Sequence, residues 1–339
     1  MNPRHRRLLI PGLLVALLVV VLVAALVDRS DAAIPAASQA DAVEVCRVSD
    51  PRVTEASGMV VSAIHQDLAY LINDSGSDAE VFAVRVSTGA VVGVTTVETS
   101  SWWDPEAMTL GADGTLWIAD TGDNDLVRKQ PSLLRIDEPG EGDHRVAATV
   151  YPIALPDGAD DIESVAFDPA DGSFLLVAKR IAAGPIYRVG PDLTSDALNP
   201  ATITDWSGPL MATDASMTPD GTTLLIRNYL TVVALDASTG EERWSRTLPD
   251  QDQGETLAVE PSGESFLVGS EGVDQAIYRL GLSADEAEPA TPTSTPSPSV
   301  AAGADDIESA VWNAPLAVGV GVFLVVLAFV ASRALRRVR

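Results

Sequence analysis

Residues 102–124, WWDPEAMTLGADGTLWIADTGDN, contain the pattern that predicts the fold. An acidic residue opens a short apolar run, an Asp-Gly turn follows, and a second apolar run ends in an Asp/Gly/Asn loop. Asp-Gly between two apolar runs predicts a β-hairpin, because glycine readily adopts the positive φ that such turns need. The stretch therefore predicts two antiparallel strands with polar residues gathered at one end.

The same pattern recurs in four further copies along the chain. Measured on the opening acidic residues, neighbouring copies are 51, 57, 51 and 41 residues apart. A repeat of about 40–50 residues with four short strands is typical of one β-propeller blade. The sequence therefore predicts an all-β fold, a β-propeller with five blades. The acidic residues that open the copies are Glu55, Glu106, Glu163, Asp214 and Glu255.

Two alternatives to five blades stay open. Residues 184–210 contain more chain than one pair of strands needs, which leaves room for a sixth blade. A β-sandwich would also contain many short strands separated by turn residues. A sandwich gives no reason for an acidic residue to recur at one place in every copy, so the propeller is favoured.

A strand at the N-terminal end of the repeats is predicted to close the ring. The fifth copy stops after its third strand, at Leu282, and a spare strand, VEVCRV at 43–48, precedes the first copy. Pairing the spare strand with the incomplete blade leaves no open sheet edge, which is how such folds avoid edge-to-edge aggregation. The single cysteine, Cys46, is predicted to be buried in this strand.

Both ends of the chain carry membrane signals. A cytoplasmic basic flank at 1–7 precedes an uncharged run at 8–27, which predicts a signal peptide or a signal anchor. A second apolar run at 313–332, followed by a basic tail at 333–339, predicts a transmembrane helix with a cytoplasmic C-terminus. We expect the propeller to lie outside the cell membrane, tethered by that helix. The segments between the two apolar runs are a linker at 28–42, the propeller at 43–283 and a Pro/Ser/Thr-rich stalk at 284–312.

The charge balance restricts the partners. The chain has 48 Asp and Glu against 22 Lys and Arg, for a formal net charge of −26. A field of this sign repels nucleic acid and attracts cations, so no nucleic-acid partner is expected. The three histidines lie away from the polar ends of the repeats, which leaves little material for a His-based zinc site or a Ser-His-Asp site.

Strand direction predicts where the unusual residues meet. In a propeller the first strand of each blade lines the central channel and the second runs antiparallel beside it. The starts of the first strands and the ends of the second strands therefore share one face, which we call the mouth. The acidic residues that open the copies are expected there. Residues at or just beyond the ends of the second strands join them: Asp74, Asp120, Asp123, Asn124, Lys179, Arg180, Arg227 and Glu271.

Three interpretations of the mouth stay open, and the first two involve no catalysis. In the first, each acid braces a neighbouring blade by accepting backbone N–H bonds. In the second, the loops NDSG and DTGDN bind Ca²⁺, which takes six to eight oxygen ligands from flexible loops. No other cofactor is predicted. The residues that would supply the Ca²⁺ ligands are Asp74, Asp120, Asp123 and Asn124.

The third interpretation is an active site. Close carboxylates raise one another's pKa and can divide acid and base roles, which makes Glu106 and Glu163 candidates for catalysis. Three cations near them are suited to hold a phosphate or carboxylate group: Lys179, Arg180 and Arg227. Trp103 either forms an aromatic surface on which a sugar or another ring stacks, or it has only a packing role in the fold. Candidates for contact with a ligand at the mouth are Glu55, Asp214, Glu255, Glu271 and Trp103.

Several motifs resemble a known group of proteins: NDSG (73–76), WWDPEAMTL (102–110), WIADTGDN (117–124), IESVAFDP (162–169), AKR (178–180) and GETLAVEP (254–261). They are similar to secreted or cell-surface bacterial β-propeller proteins, which in turn resemble phytase-like and NHL/WD40-like propellers. This chain departs from the group's usual WED-[IA]-A motif, because Pro105 stands before Glu106. The phytase-like analogy implies Ca²⁺ that bridges carboxylates to a phosphate ester.

The sequence thus favours a membrane-tethered, extracytoplasmic β-propeller that acts as a binding module, with Ca²⁺ at its mouth. The expected partner is an extracytoplasmic protein, a glycan or a small molecule. The alternative is a metal-dependent hydrolase of phosphate or carboxylic esters that uses the same carboxylates.

Overall fold

The computed structural model describes residues 42–74, 76 and 78–283. Regular structure in these residues consists of β-strands, as the sequence predicts. The strands are β1 (Val43–Val48), β2 (Ala56–Val61), β3 (Leu68–Asn73), β4 (Glu80–Arg85), β5 (Val91–Glu98), β6 (Pro105–Leu110), β7 (Thr115–Asp120), β8 (Ser132–Asp137), β9 (His144–Ala147), β10 (Thr149–Ala154), β11 (Ile162–Asp168), β12 (Ser173–Ala178), β13 (Gly184–Val189), β14 (Asn199–Gly208), β15 (Asp214–Met217), β16 (Thr223–Arg227), β17 (Thr231–Asp236), β18 (Glu242–Thr247), β19 (Gly254–Val259), β20 (Ser265–Ser270) and β21 (Gln275–Gly281).

Strands that follow one another in sequence pair antiparallel, so each repeat folds as a meander. β2 to β5 form one sheet and β15 to β18 another. The second repeat (β6, β7, β8 and β10) and the third (β11 to β14) join into one eight-stranded sheet, because β10 and β14 pair in parallel at Ile153 and Asn199. β9 extends the first sheet by pairing in parallel with β5.

The repeats close into a ring around their first strands. β2, β6, β11, β15 and β19 contact one another in cyclic order, and β19 contacts β2. Neighbouring repeats pack face to face, and Trp117 of the second repeat contacts Phe174 of the third at a ring-centroid distance of 4.7 Å. Because a sheet lies on each side of them, the second strands β3, β7 and β12 are buried at every position. This double burial explains why they read as continuous apolar runs.

The N-terminal strand completes the last sheet. β1 pairs antiparallel with β21, in the order β1-β21-β20-β19. Cys46 lies opposite Ile277 and is buried, as predicted. Burial, together with the negative charges of Asp67 and Glu44, raises the pKa of its thiol to about 11, which makes the thiol unreactive at neutral pH.

The hairpin turns predicted from Asp-Gly and Ser-Gly are present on the face opposite the mouth. Their glycines adopt left-handed conformations that would strain any other residue. The four turns between first and second strands place Gly114, Gly172, Gly221 and Gly263 at φ of 71°, 74°, 69° and 70°.

Residues 184–210 belong to the third repeat, where β13 and β14 form an antiparallel pair with a connection between them. No helix among the described residues is long and apolar enough to cross a membrane. The predicted terminal segments (1–7, 8–27, 284–312, 313–332 and 333–339, with all but the last residue of the linker) lie outside the described residues.

Candidate functional site

β-Bulges direct acidic side chains toward the mouth. The pairing between first and second strands shifts register next to Glu106, Glu163 and Glu255, so each is the extra residue of a bulge. Bulges re-aim side chains and recur beside functional sites. In the first repeat the bulged residue is Ser57, and Glu55 lies two residues earlier. Glu55 is therefore the counterpart of Asp104, and the sequence alignment placed it two residues out of register.

Three carboxylates of two neighbouring repeats meet at the mouth. Asp74 follows β3, Asp104 precedes β6, and Glu106 lies in β6. One oxygen of each lies within 4.8 Å of the others, a spacing that suits ligands about 2.3–2.6 Å from one Ca²⁺ ion. Asp104 and Glu106 are 9% and 1% exposed. We call Asp74, Asp104 and Glu106 the carboxylate cluster.

Asp104 has a side-chain oxygen that the described residues leave without a hydrogen-bond partner. Its Oδ1 is buried and accepts no hydrogen bond from any residue that the structure describes. Buried polar atoms are almost always paired, and an orphaned one commonly marks a bound ion or water. The backbone of Asp104 is itself held in place. Thr121 and Gly122 both donate N–H bonds to the Asp104 carbonyl (3.1 and 3.0 Å).

Gly122 makes room for the cluster. A Cβ atom at this position would stand 2.6 Å from Asp104 Oδ2 and would also collide with Glu106 Oε1. Ser57 completes the surroundings, because its hydroxyl lies 2.9 Å from Glu106 Oε2 and 2.8 Å from the Glu106 carbonyl. The cluster is thus enclosed by groups that accommodate two carboxylates at close range.

The cluster is electrostatically strained in the absence of a cation. Burial raises the pKa of Asp104 to about 7, with the charges of Asp74 and Asp161 adding to the effect and Arg128 opposing it. Burial, followed by the charges of Glu163, Asp74 and Asp104, raises the pKa of Glu106 well above its usual range. Like charges so close together favour either protonation or a bound cation.

Lys179 lies beside the cluster, among acids. Its Nζ is 2.9 Å from Glu163 Oε2, and both side chains are almost fully buried. Nζ also lies 5.6 Å from the ring centroid of Tyr229. Burial lowers the pKa of Lys179, but the surrounding charges, chiefly Glu163 and Glu255, raise it well above its usual range. Lys179 is therefore a permanent cation.

Glu255 and Glu271 form a second acidic pair at the mouth. Glu255 Oε1 accepts a hydrogen bond from Gln253 Nε2 (2.9 Å) and lies 3.3 Å from the Tyr229 hydroxyl. Burial, the charge of Glu255 and a hydrogen bond to it raise the pKa of Glu271 to about 9. Glu271 therefore lies close enough to Glu255 at the mouth for the two carboxyl groups to interact directly.

Asp120 and Asp123 hold the mouth loops in place. Asp120 is fully buried, forms an ion pair with Arg128 (2.6 Å), and accepts backbone N–H bonds from Trp103 and Asp104 (3.0 and 2.8 Å). Asp123 accepts the N–H groups of Val127 and Arg128 (2.9 and 2.7 Å). Neither carboxylate belongs to the cluster.

The exposed Asn124 lies in the same loop as Asp123. Of the four residues predicted to bind Ca²⁺, the structure brings Asp74 alone into the carboxylate cluster. Backbone N–H groups and Arg128 hold the carboxylate of Asp120 at the end of β7, and backbone N–H groups hold that of Asp123 in the loop that follows.

Arg227 is bound by the protein itself. It is fully buried and donates to the carbonyls of Thr256 (2.9 Å) and Gly269 (3.0 Å), and to Gln251 Oε1 (3.0 Å). These bonds connect the fourth repeat to the fifth. The guanidinium therefore braces the ring, in place of the predicted contact with an anionic ligand.

Two further predicted residues also have partners within the protein. Arg180 forms an ion pair with Asp160 (2.7 Å). Asp214 is fully buried and accepts backbone N–H bonds from Ala215 (2.8 Å) and Leu257 (2.6 Å), which ties β15 to β19. Asp214 therefore matches the bracing interpretation of the acids.

Asp104 and Ser57 are the mouth residues that the sequence reasoning missed. A signal for Asp104 was present: Asp104 and Asp161 each stand two residues before a bulged glutamate, in the pattern Asp-x-Glu. No pattern in the sequence distinguishes Ser57, because a serine in a strand is common.

Comparison with known proteins finds similar solved structures but no family. No family model matches the chain, and no curated protein matches it. Solved structures do match, at low identity. The Myxococcus xanthus glutaminyl cyclase has a TM-score of 0.47 and 10% identity, with 71% of this chain and 97% of that chain covered. The Neurospora crassa Pan2 WD40 domain has a TM-score of 0.39 and 10% identity, with 74% and 98% covered.

A third match is hydrazine synthase from Kuenenia stuttgartiensis, with a TM-score of 0.38 and 15% identity. It covers 64% of this chain, and this chain spans only 56% of that protein. These likenesses concern the fold alone. The ring of first strands, each followed by the further strands of its own repeat, defines the chain as a β-propeller protein.

We expect the metal-free protein to lose stability as the pH rises. Folding raises the pKa values of Asp104 and Glu271 to about 7 and 9, from about 4 in an unfolded chain. A carboxyl group whose pKa is higher in the folded protein contributes fully to stability at pH values below its pKa in the unfolded chain. This contribution to stability is lost as the pH rises through its pKa in the folded protein. The thermal midpoint in EDTA should fall by on the order of 10 °C between pH 5 and pH 9. A midpoint that is constant or rises over this range contradicts the prediction.

Proposed function

We propose that this protein is a cation-dependent binding module whose propeller mouth holds one Ca²⁺ ion through Asp74, Asp104 and Glu106. The observation that carries the proposal is the buried, unpartnered Oδ1 of Asp104 within a group of three carboxylates that share one small volume. The group consists of carboxylates, with no cysteine or histidine joining it in the part of the chain that the structure describes, and such a set suits a hard cation such as Ca²⁺ rather than zinc.

The proposal includes five blades, one for each repeat, with β1 completing the fifth. It also places the propeller outside the cell, tethered to the membrane by residues 313–332. Two observations support these parts: the first strands form a ring of five, and the apolar runs near both ends are flanked by arginines. Outside a cell, Ca²⁺ is abundant enough for a site with a dissociation constant of about 10⁻⁴–10⁻³ M to fill.

Thermal unfolding of the full-length protein tests the Ca²⁺ site. A ligand that binds only the folded state at 100 times its dissociation constant stabilises by about 2.7 kcal/mol, which raises the midpoint of a domain of this size by on the order of 5–10 °C. We expect that rise on moving from EDTA to excess Ca²⁺. Asp104→Asn should abolish the rise while leaving the midpoint in EDTA unchanged or higher, because it removes a like charge.

Asp192→Asn is the matched control, since Asp192 is an exposed acid that follows Pro191, which packs against the Gly172 turn on the face opposite the mouth. It should retain the full response to Ca²⁺. A wild-type protein that does not respond to Ca²⁺, or an Asp104→Asn variant that responds normally, would refute the site.

A second candidate function is hydrolysis of a phosphate or carboxylic ester. One observation favours it: Glu163 is buried, its Oε2 is paired with Lys179, and its Oε1 has no partner among the described residues. That oxygen is available for proton transfer beside a bound cation. Turnover of p-nitrophenyl acetate or p-nitrophenyl phosphate with Ca²⁺, lost in Glu163→Gln, is the expected result of this function. Absence of turnover in the wild type removes it.

A further inference from the structure

Trp103 is an unusually exposed aromatic residue, and it stands beside the carboxylate cluster. It is 60% exposed, although its neighbour Asp104 is buried. The two residues share one anchor, because both backbone N–H groups donate to Asp120 Oδ1 (3.0 and 2.8 Å). The backbone that carries the indole is therefore anchored together with that of Asp104, one residue away from the cluster.

Arg128 fixes the orientation of the Trp103 ring. Its guanidinium carbon lies 5.4 Å from the ring centroid, within the range of a cation–π contact. Arg128 is itself immobilised, since it forms the ion pair with Asp120 and donates to the Gly122 carbonyl (3.2 Å). A rigid aromatic surface that stays exposed to solvent is suited to stack against a ring of a ligand, since little entropy is lost on binding.

The charge at the mouth selects against an anionic ligand. With Ca²⁺ bound, the three carboxylates of the cluster still leave a negative balance, and Lys179 is engaged by Glu163. The acidic pair Glu255 and Glu271 lies at the same mouth. A phosphate or carboxylate group would meet net repulsion here. A neutral ligand with hydroxyl groups would instead ligate the cation and donate hydrogen bonds to the carboxylates.

We propose that the mouth binds a neutral cyclic polyol, such as a sugar residue of a glycan, with vicinal hydroxyls on the Ca²⁺ ion and one ring face stacked on Trp103. This inference rests on the proposed Ca²⁺ site and names its ligand class. The unpartnered Oδ1 of Asp104, which is nine-tenths buried, marks the ion position, and Trp103 immediately precedes Asp104 in the chain. Both elements of recognition thus come from two consecutive residues.

Isothermal titration of the full-length protein tests the proposal with a defined panel of probes. The neutral probes are methyl α-mannoside, methyl α-galactoside and myo-inositol, and the anionic ones are glucuronate and glucose 6-phosphate. We expect at least one neutral probe to bind in Ca²⁺ and none in EDTA. Trp103→Ala should weaken that binding more than tenfold, and Trp103→Phe should weaken it less, because it retains a ring.

Trp244→Phe is the matched control. Trp244 also contacts an arginine, Arg246, at 4.5 Å, but it lies on the outer strand β18. This variant should bind the probe as the wild type does. Trp103→Ala should also keep the Ca²⁺-dependent rise in thermal midpoint, which shows that its loss of binding is not a loss of fold or of the cation.

Each contrary outcome is distinct. If Ca²⁺ raises the midpoint but no neutral probe binds, the ligand class is wrong and the cation site stands. Tighter binding of an anionic probe, or equal binding in EDTA, also overturns the ligand class. If Ca²⁺ does not raise the midpoint, the proposed function fails and this inference fails with it.

Discussion

Replacing Lys179 with methionine is expected to destabilise the protein by about 3–5 kcal/mol. Lys179 and Glu163 form an ion pair of 2.9 Å with side-chain exposures of 9% and 2%. Burial and the charges of Asp161 and Glu255 raise the pKa of Glu163 to about 8 even with Lys179 present, so removal of the cation leaves Glu163 buried without a counter-charge and forces it to take up a proton. Urea unfolding of Lys179→Met against the wild type measures the loss.

The double variant Lys179→Met/Glu163→Gln separates charge from shape. It removes both charges, so it should recover more than half of the stability lost in Lys179→Met. Lys129→Met is the matched control, because Lys129 is exposed and should change the free energy of unfolding by less than about 0.5 kcal/mol. A double variant no more stable than Lys179→Met would show that the lysine acts through packing.

Replacing Arg227 with methionine is also expected to cost about 3–5 kcal/mol, for a different reason. The change removes the hydrogen bonds that Arg227 donates to the buried carbonyls of Thr256 and Gly269 and to Gln251 Oε1. Because these bonds connect the fourth and fifth repeats, the loss should appear in cooperative unfolding of the ring. Urea unfolding again measures it.

The control variant for Arg227→Met is Arg135→Met. Arg135 is about one-third exposed and pairs with Asp113 at 2.9 Å on the outer surface, so its loss should cost less than about 1 kcal/mol. A ligand-binding role for Arg227 predicts the reverse pattern, with stability retained and ligand affinity lost. That result would restore the interpretation that the sequence suggested and would contradict the bracing role.

The strands and turns could be predicted from short stretches of sequence, because their conformation depends mainly on residues that are close together in the chain. The Asp-Gly and Ser-Gly turns were predictable because glycine at positive φ is a requirement of the turn itself. Regular spacing of the copies predicted the repeat, and the spare strand at 43–48 was predictable because an incomplete sheet needs a partner for its open edge.

The bulges were not predictable in this way. A bulge at Glu106 or Glu163 depends on how one strand pairs with the next, and nothing in the residue types marks it. In the first repeat this caused the register error of two residues, which assigned to Glu55 the place that Ser57 occupies. The consequence for the site was direct, since the counterpart Asp104 was overlooked.

Residue type, spacing and chain direction are enough to predict the strand content, the repeat and the concentration of acidic side chains at one face. Which of those acids act together depends on how the sheets pack. Asp74 comes from the first repeat and Asp104 from the second, so their contact exists only when two sheets pack side by side. The same packing buries Arg227, Asp120 and Asp214 among backbone groups, and their charges then serve the ring instead of a ligand.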